Sequence, residues 1–229
     1  ASHAIGGKYL GEPIGNCRFS DITVFSFHPV KIITTAEGGM ALTNDDKLAE
    51  RLGLLRSHGI TRDPALMTHG MDGPWYYQQV ALGYNYRMTD LQGALGASQM
   101  TRLDEYVARR HVLAHRYDEL LQDLPVTTPW QHPDGYSGLH LYVIRLQLDK
   151  IQKSHLQVFE ALRAKDIIVN LHYIPVHTQP YYQQMGFKAG QFPEAERYYA
   201  EAISIPMYPI MSEAQQDEVV SCLREALGA

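Results

Sequence analysis

Cysteine is scarce in this chain of 229 residues. Cys17 and Cys222 are the only two, and they lie far apart. No Cys-x-x-Cys pair and no Cys/His cluster has metal-finger spacing, so no metal ligand set is expected. A disulfide framework is excluded, and two free thiols suit a reducing cytoplasm. Long hydrophobic runs are also lacking. No apolar stretch approaches the ~20 residues that span a bilayer, and no signal-peptide pattern is visible. Positive charge is not in excess: 20 Lys and Arg stand against 25 Asp and Glu, a formal net charge of −5. A general nucleic-acid footprint needs clustered surplus Lys and Arg, so neither nucleic acid nor membrane is an expected partner. A small basic site for a phosphorylated ligand remains compatible with this balance. Internal repeats and low-complexity tracts are missing, which argues against a solenoid.

What is present is ordinary globular material, 45% hydrophobic and 20% charged, in a chain long enough to bury a real core as one large domain or two small ones. Asp21 to Phe27 is a β-branched and aromatic run that predicts a strand, and Met40 to Thr43 after Gly38-Gly39 predicts a second. Asn44 or Asp45 is placed to cap a helix through Leu48, Leu52 and Leu55. Residues 57–84 are rich in Gly, Pro, Asp and aromatics and predict a long loop. From Thr89 or Asp90, a candidate N-cap, apolar residues from Leu91 to Leu121 recur near a 3.6-residue period. This is one bent helix or two meeting near Thr101, with Asp104, Glu105, Arg109 and Arg110 expected on its solvated side. Beyond Pro125 the pattern predicts strands over 140–148, 167–173 and 203–205, helices over 154–165, 193–202 and 212–227, and an irregular aromatic stretch over 175–186. Strands alternating with helices make the chain α/β or α+β. The domain boundary is expected between residues 124 and 125, with the long helix as bridge.

The stretch that carries chemistry is Phe25-Ser26-Phe27-His28-Pro29-Val30-Lys31, followed by Thr34-Thr35-Ala36-Glu37-Gly38-Gly39. A lysine in a partly apolar setting has a lowered pKa and can attack a carbonyl as the free amine. Ser26, five residues earlier, is within reach of a phosphate on the same ligand. Read from the residues alone, Lys31 is more simply a solvated surface lysine. His3 reads as an exposed polar residue near a terminus, and His172, Tyr173 and His177 as ordinary loop packing.

The run from Ser26 to Gly39 resembles the cofactor-lysine motif of the DegT-type sugar aminotransferases, a family of fold-type-I aminotransferase architecture that uses pyridoxal 5′-phosphate. Ala1-Ser2-His3-Ala4, Gly83-Tyr84-Asn85-Tyr86-Arg87-Met88-Thr89-Asp90-Leu91-Gln92, His172-Tyr173-Ile174-Pro175-Val176-His177 with Pro180-Tyr181-Tyr182, and Ser204-Ile205-Pro206-Met207-Tyr208-Pro209 resemble further family segments, in the expected order. The resemblance implies an incomplete large domain (residues 1–124) and a small C-terminal α+β domain (residues 125–229). It implies that Lys31 binds pyridoxal phosphate covalently and moves the substrate proton, that Ser26 bonds its phosphate, and that His3 lies near its 3′ oxygen. Asn85 would reach the cofactor of a partner subunit in a homodimer with shared sites. Arg87, His172, Tyr173 and His177 would line the substrate side. The family's ring-nitrogen Asp, Gly-Thr phosphate loop and ring-stacking aromatic would lie upstream of Ala1, so the chain is expected to be a C-terminal portion that is a poor catalyst alone. The implied reaction moves an amino group from an amino acid, L-glutamate, to a keto group of a nucleotide-linked deoxysugar. The nearest pattern is that of pseudaminic-acid-pathway enzymes aminating C4 of a UDP-linked 4-keto-6-deoxy-N-acetylhexosamine. Two rival readings are a non-catalytic, dimer-forming module and a sugar dehydratase, the latter disfavoured because such enzymes replace the lysine that is Lys31 here.

Overall fold

A computed structural model describes residues 1–228. In chain order the elements are β1 (Lys8–Tyr9), β2 (Glu12–Pro13), β3 (Thr23–Ser26), β4 (Gly39–Leu42), α1 (Asp46–Leu55), β5 (Ile60–Thr61), β6 (Gln78–Gln79), α2 (Asp90–Met100), α3 (Leu103–Leu120), β7 (Val126–Thr127), β8 (Gly135–Tyr136), β9 (Tyr142–Leu146), α4 (His155–Arg163), α5 (Pro180–Gln184), α6 (Pro193–Glu201), β10 (Ala202–Ile205) and α7 (Glu213–Leu227). The helix starts obey local chemistry. Asp45 accepts from Lys47 N and Leu48 N at the start of α1. Thr89, Ser154 and Ser212 each form a capping box with a glutamine three residues on, closing orphan donors at the starts of α2, α4 and α7. Gly228, at φ 75°, ends α7 in the left-handed conformation that glycine adopts without penalty.

Two compact units emerge, residues 1–105 with 133–138, and residues 106–132 with 139–229. The division falls near the start of α3, whereas the sequence-based boundary at 124/125 lies beyond its other end. The first unit holds three small antiparallel sheets: β2–β1–β8, β3–β4 and β5–β6. In the second, β10–β9–β7 form an antiparallel sheet with Ile203 opposite Ile144 and Val126 opposite Leu146. Ile144, Leu146, Ile203, Val158, Leu162 and Leu223 are each at most 1% exposed, and they gather with Tyr117 and Tyr142 into one core. Fully burying each such side chain stabilises by roughly 1.5–3 kcal/mol relative to exposure. Tyr117 OH donates to Pro206 O and Tyr142 OH to Asp118, which satisfies both buried phenols.

Three expectations need correction. Arg110 is 6% exposed rather than solvated, and its Nη1 donates to the carbonyls of Leu139, His140 and Met207, each at 3.1 Å. It stands three residues from both Val107 and Leu113, on the apolar stripe itself, and desolvation lowers its pKa to about 10. Leu91, by contrast, is 85% exposed. Residues 167–173 form no strand, only a one-residue bridge from Asn170 to Ser204. There the Asn170 carboxamide takes Leu171 N at 2.8 Å, competing with ladder pairing. The stretch 175–186, expected to be irregular, contains a 3₁₀ turn and α5, which Pro180 opens at its first position, where a missing N–H costs nothing.

Candidate active site

Lys31 sits on the loop that joins β3 to β4. β3 delivers Ser26 opposite Gly39. The chain then leaves through His28, Pro29 and Val30. Its base is closed by backbone bonds: Phe27 N donates to Gly38 O at 2.8 Å and Thr35 N to Phe27 O at 3.0 Å. Thr34 Oγ1 donates to the same Phe27 carbonyl, also at 3.0 Å. Lys31 N donates to His28 O at 3.0 Å. Val30 is exposed, but Ile32 and Ile33 are buried. Lys31 therefore occupies the rim of an anchored segment rather than a free arm.

The return limb of this loop lies against α2. Gln99 Oε1 accepts from Thr34 N at 2.9 Å, and Gln92 Nε2 donates to Glu37 O at 3.0 Å. Between the two glutamines Gly96 is buried, and a Cβ there would lie 2.7 Å from Thr35 Cγ2.

Lys31 Nζ lies 2.6 Å from His3 Nε2. His3 is presented by a turn in which Ala4 N donates to Ala1 O and Gly7 N to Ala4 O, both at 2.9 Å. Gly138 lets this segment close in, since a Cβ there would fall 2.5 Å from Ile5 O. Burial lowers the Lys31 pKa below its ordinary value, which enlarges the fraction of free amine, the form that attacks an aldehyde or ketone. Ser26 Oγ accepts weakly from His28 N at 3.5 Å. A half-buried hydroxyl thus stands at the entrance of the loop whose apex region carries the amine.

The other sequence-predicted residues fall elsewhere. Asn85 and Arg87 are exposed on a strip beside residues 55–58, where Tyr84 N donates to Leu55 O at 2.7 Å and Tyr86 N to Arg56 O at 2.9 Å. In the second unit, His172 Nδ1 pairs with Ser204 Oγ at 2.7 Å and Tyr173 is 60% exposed. His177 is only 7% exposed, and its Nε2 pairs with Glu196 Oε1 at 2.7 Å. That carboxylate also accepts from Gly190 N at 2.6 Å. Among the described residues no group of three or more His, Cys, Asp or Glu side chains could hold a metal ion, and no helix is long and apolar enough to cross a membrane.

A family model described as the DegT/DnrJ/EryC1/StrS aminotransferase family matches residues 1–224. The chain belongs to this family. Among curated relatives, the spore coat polysaccharide biosynthesis protein SpsC of Bacillus subtilis is 39% identical over 228 residues, covering 98% of this chain and 58% of that protein. Among solved structures of the family, Helicobacter pylori PseC, an aminotransferase involved in the biosynthesis of pseudoaminic acid, is 30% identical with a TM-score of 0.87, over 100% of this chain and 58% of that one. The Spr1654 protein of Streptococcus pneumoniae in its PMP form is 27% identical with a TM-score of 0.88, again over 100% and 58%. The architecture is that of the fold-type-I aminotransferases. The chain spans 58% of the length of these relatives.

Two features of this family member were not singled out in the sequence. Glu196 was hidden because nothing in sequence marks its partner, His177, nineteen positions away. Gly96 and Gln99 carry a usable signal: with Gln92, the last residue of the family segment from Gly83, they make a polar–small–polar pattern at i, i+4 and i+7 that places three residues on one helix face.

Proposed function

We propose that this protein is a pyridoxal-phosphate-dependent sugar aminotransferase with Lys31 as its cofactor lysine. The observation that carries the reading is the contact of a partly desolvated lysine amine with an imidazole, at the end of a strand that also supplies a hydroxyl, in a chain matched by the family over nearly its whole length. Relatives solved in PLP and PMP forms support the cofactor. The residues fit the group chemically: an amine for its aldehyde, an imidazole beside that amine for the 3′ oxygen, and the Ser26 hydroxyl for its phosphate. When bound, the cofactor supplies an electron sink for the substrate carbon. Lys31 holds the cofactor and, once released by substrate, moves the proton at that carbon. His3 orients the ring, and its contact with Lys31 keeps the amine at the reacting position. Asn85 serves the cofactor of the partner in a homodimer.

The acceptor in this reading is the keto group of a nucleotide-linked deoxysugar, at C4, and the donor is L-glutamate. Similarity to PseC, an aminotransferase involved in the biosynthesis of pseudoaminic acid, supports an amino-sugar pathway; C4 and L-glutamate rest on the motif resemblance alone. In this reading Arg87 of the first unit, and His172 and Tyr173 of the second, are each candidate substrate residues, their planar and imidazole groups suiting phosphate and hydroxyls. His177, 7% exposed and paired with Glu196, braces its own loop in this reading rather than touching substrate. The test is borohydride reduction of the full-length protein incubated with pyridoxal phosphate, followed by peptide mass analysis. A pyridoxyl mass on the Lys31 peptide, lost in Lys31→Ala together with turnover, is the expected result. A label on Lys8 or Lys165 instead, or turnover retained in Lys31→Ala, would overturn the reading.

A further inference from the structure

We infer that α2 is the positioning device for Lys31, and that Gln99 is its principal positioning residue. The inference rests on the reading of Lys31 as the cofactor lysine and adds what holds that lysine in place. Gln92, Gly96 and Gln99 recur at i, i+4 and i+7, so they form one stripe along the helix. All three meet the return limb of the lysine loop at successive points: Gln92 at the Glu37 carbonyl, Gly96 at the Thr35 methyl, Gln99 at the Thr34 amide. The grip is chemically directed. A loop amide must find an acceptor, and Thr34 N finds it in a side chain from another element. Thr34 is also the hub of the loop base, because its hydroxyl donates to Phe27 O and accepts from Ala36 N, both at 3.0 Å. Moving Thr34 would therefore disturb both limbs.

Gln92 links the grip to the helix start. Its Oε1 accepts from Thr89 N at 2.9 Å and from Thr89 Oγ1 at 3.0 Å, while its Nε2 holds Glu37 O at 3.0 Å. One carboxamide thus caps α2 and pins the loop. Gly96 makes the approach feasible: any side chain there would push on Thr35, itself buried and bonded through Oγ1 to Glu37 O at 2.8 Å. Only Ile32 and Ile33, both buried, separate Lys31 from Thr34. A shift at Thr34 has little slack in which to dissipate before it reaches the amine, and a displacement of about 1 Å can cost on the order of 10²-fold in rate.

The experiment uses the full-length protein and three variants. Gln99→Met keeps the length and removes the acceptor, Gln99→Glu keeps an acceptor, and Gly96→Ala presses a methyl against Thr35. Amide exchange at Thr34 is read without cofactor, and borohydride-trapped pyridoxal phosphate on Lys31 is read as a rate against pH. For Gln99→Met, Thr34 exchange is expected to rise about fivefold, the worth of one net hydrogen bond. Labelling is expected to slow about tenfold or more and its pH midpoint to move. Gln99→Glu should recover most of both, and Gly96→Ala should reproduce the labelling defect. Wild-type labelling and pH midpoint in Gln99→Met would overturn the inference, as would a Gln99→Glu as slow as Gln99→Met, which would assign the loss to packing. Should Gln99→Met not fold, normal labelling in Gly96→Ala overturns it equally. A wild-type protein that takes no label on Lys31 defeats the functional reading itself and this inference with it. A labelled wild type with unaltered variants defeats the inference alone.

Discussion

Lys31 stands between one exposed neighbour, Val30, and two buried ones, Ile32 and Ile33. That gradient explains why its amine is partly desolvated while still reachable. The shift has a definite sign. Burial disfavours the ammonium, so the folded pKa lies below the ordinary 10.5, and the free amine appears at lower pH than in the unfolded chain. Covalent capture of pyridoxal phosphate should follow the free amine. The pH midpoint for borohydride-trapped labelling of Lys31 is therefore expected below that of the same peptide in urea-unfolded protein. Equal midpoints would show that the loop leaves the amine as solvated as in the open chain. Linkage works against the fold here: a cation with a depressed pKa costs stability at neutral pH, and the cost fades as pH rises through the unfolded value. His3 Nε2, 2.6 Å away, offsets part of that cost whenever it accepts from the ammonium.

At the scale of elements, regular structure was legible where local chemistry decides it. Asn44 or Asp45 and Thr89 or Asp90 were legible as cap candidates, and the caps fall on Asp45 and Thr89; the ranges expected for α4 and α7 open on Ser154 and Ser212, which cap them, and the β-branched run from Asp21 to Phe27 announces β3. Two-residue pairings such as β1 with β2 and β8 were not legible, since Lys8 opposite Tyr136 is set by distant backbone. The site divided in the same way. Lys31 and Ser26 lie on one contiguous motif, whereas the Lys31–His3 contact, the Gln99 grip and the His177–Glu196 pair join residues far apart in sequence. The last of these latches the segment before α6: Glu196 reaches back to Gly190 N, and His177 packs on Phe192 with ring centroids 4.8 Å apart. The hydrogen bond from His177 foremost, then that from Gly190 N, holds the Glu196 carboxyl below its usual range. A carboxylate with a depressed folded pKa contributes above its unfolded value and loses that contribution as pH falls through the folded one. The Gly190 amide, corrected for intrinsic exchange, should keep its protection at neutral pH, lose it only once the pH falls through the lowered folded value of Glu196, beneath the ordinary carboxylate range, and lack it throughout in Glu196→Ala. Protection unchanged by the substitution would remove the latch.

For the whole molecule, the two units are built on different principles. The second has a closed apolar core in which α4 and α7 contribute Val158, Leu162, Val219 and Leu223 beside the β10–β9–β7 sheet. The first holds short open sheets and a cavity of about 530 Å³ lined by Phe25, Phe27, Ile33, Met40, Gly96 and Met100 among others. Val24 and Met40, on β3 and β4, are about half exposed, at 48% and 49%. The lysine loop is accordingly held by directed hydrogen bonds and two buried isoleucines, while the second unit relies on area removed from water. Stability and cofactor capture should then respond to different substitutions. Leu162 is completely buried, so Leu162→Ala loses the transfer energy of its side chain and leaves a cavity, about 2–5 kcal/mol in sum. Denaturant unfolding followed through the second unit should show a midpoint lowered accordingly, with an unchanged slope. The rate of pyridoxal phosphate capture by Lys31, measured well below that midpoint, should match the unsubstituted protein, because the hydrogen bonds described for the loop from Phe27 to Gly38 are made among residues of the first unit. A capture rate that falls in step with the unfolding midpoint would instead mean that the lysine loop is ordered only when the second core is intact.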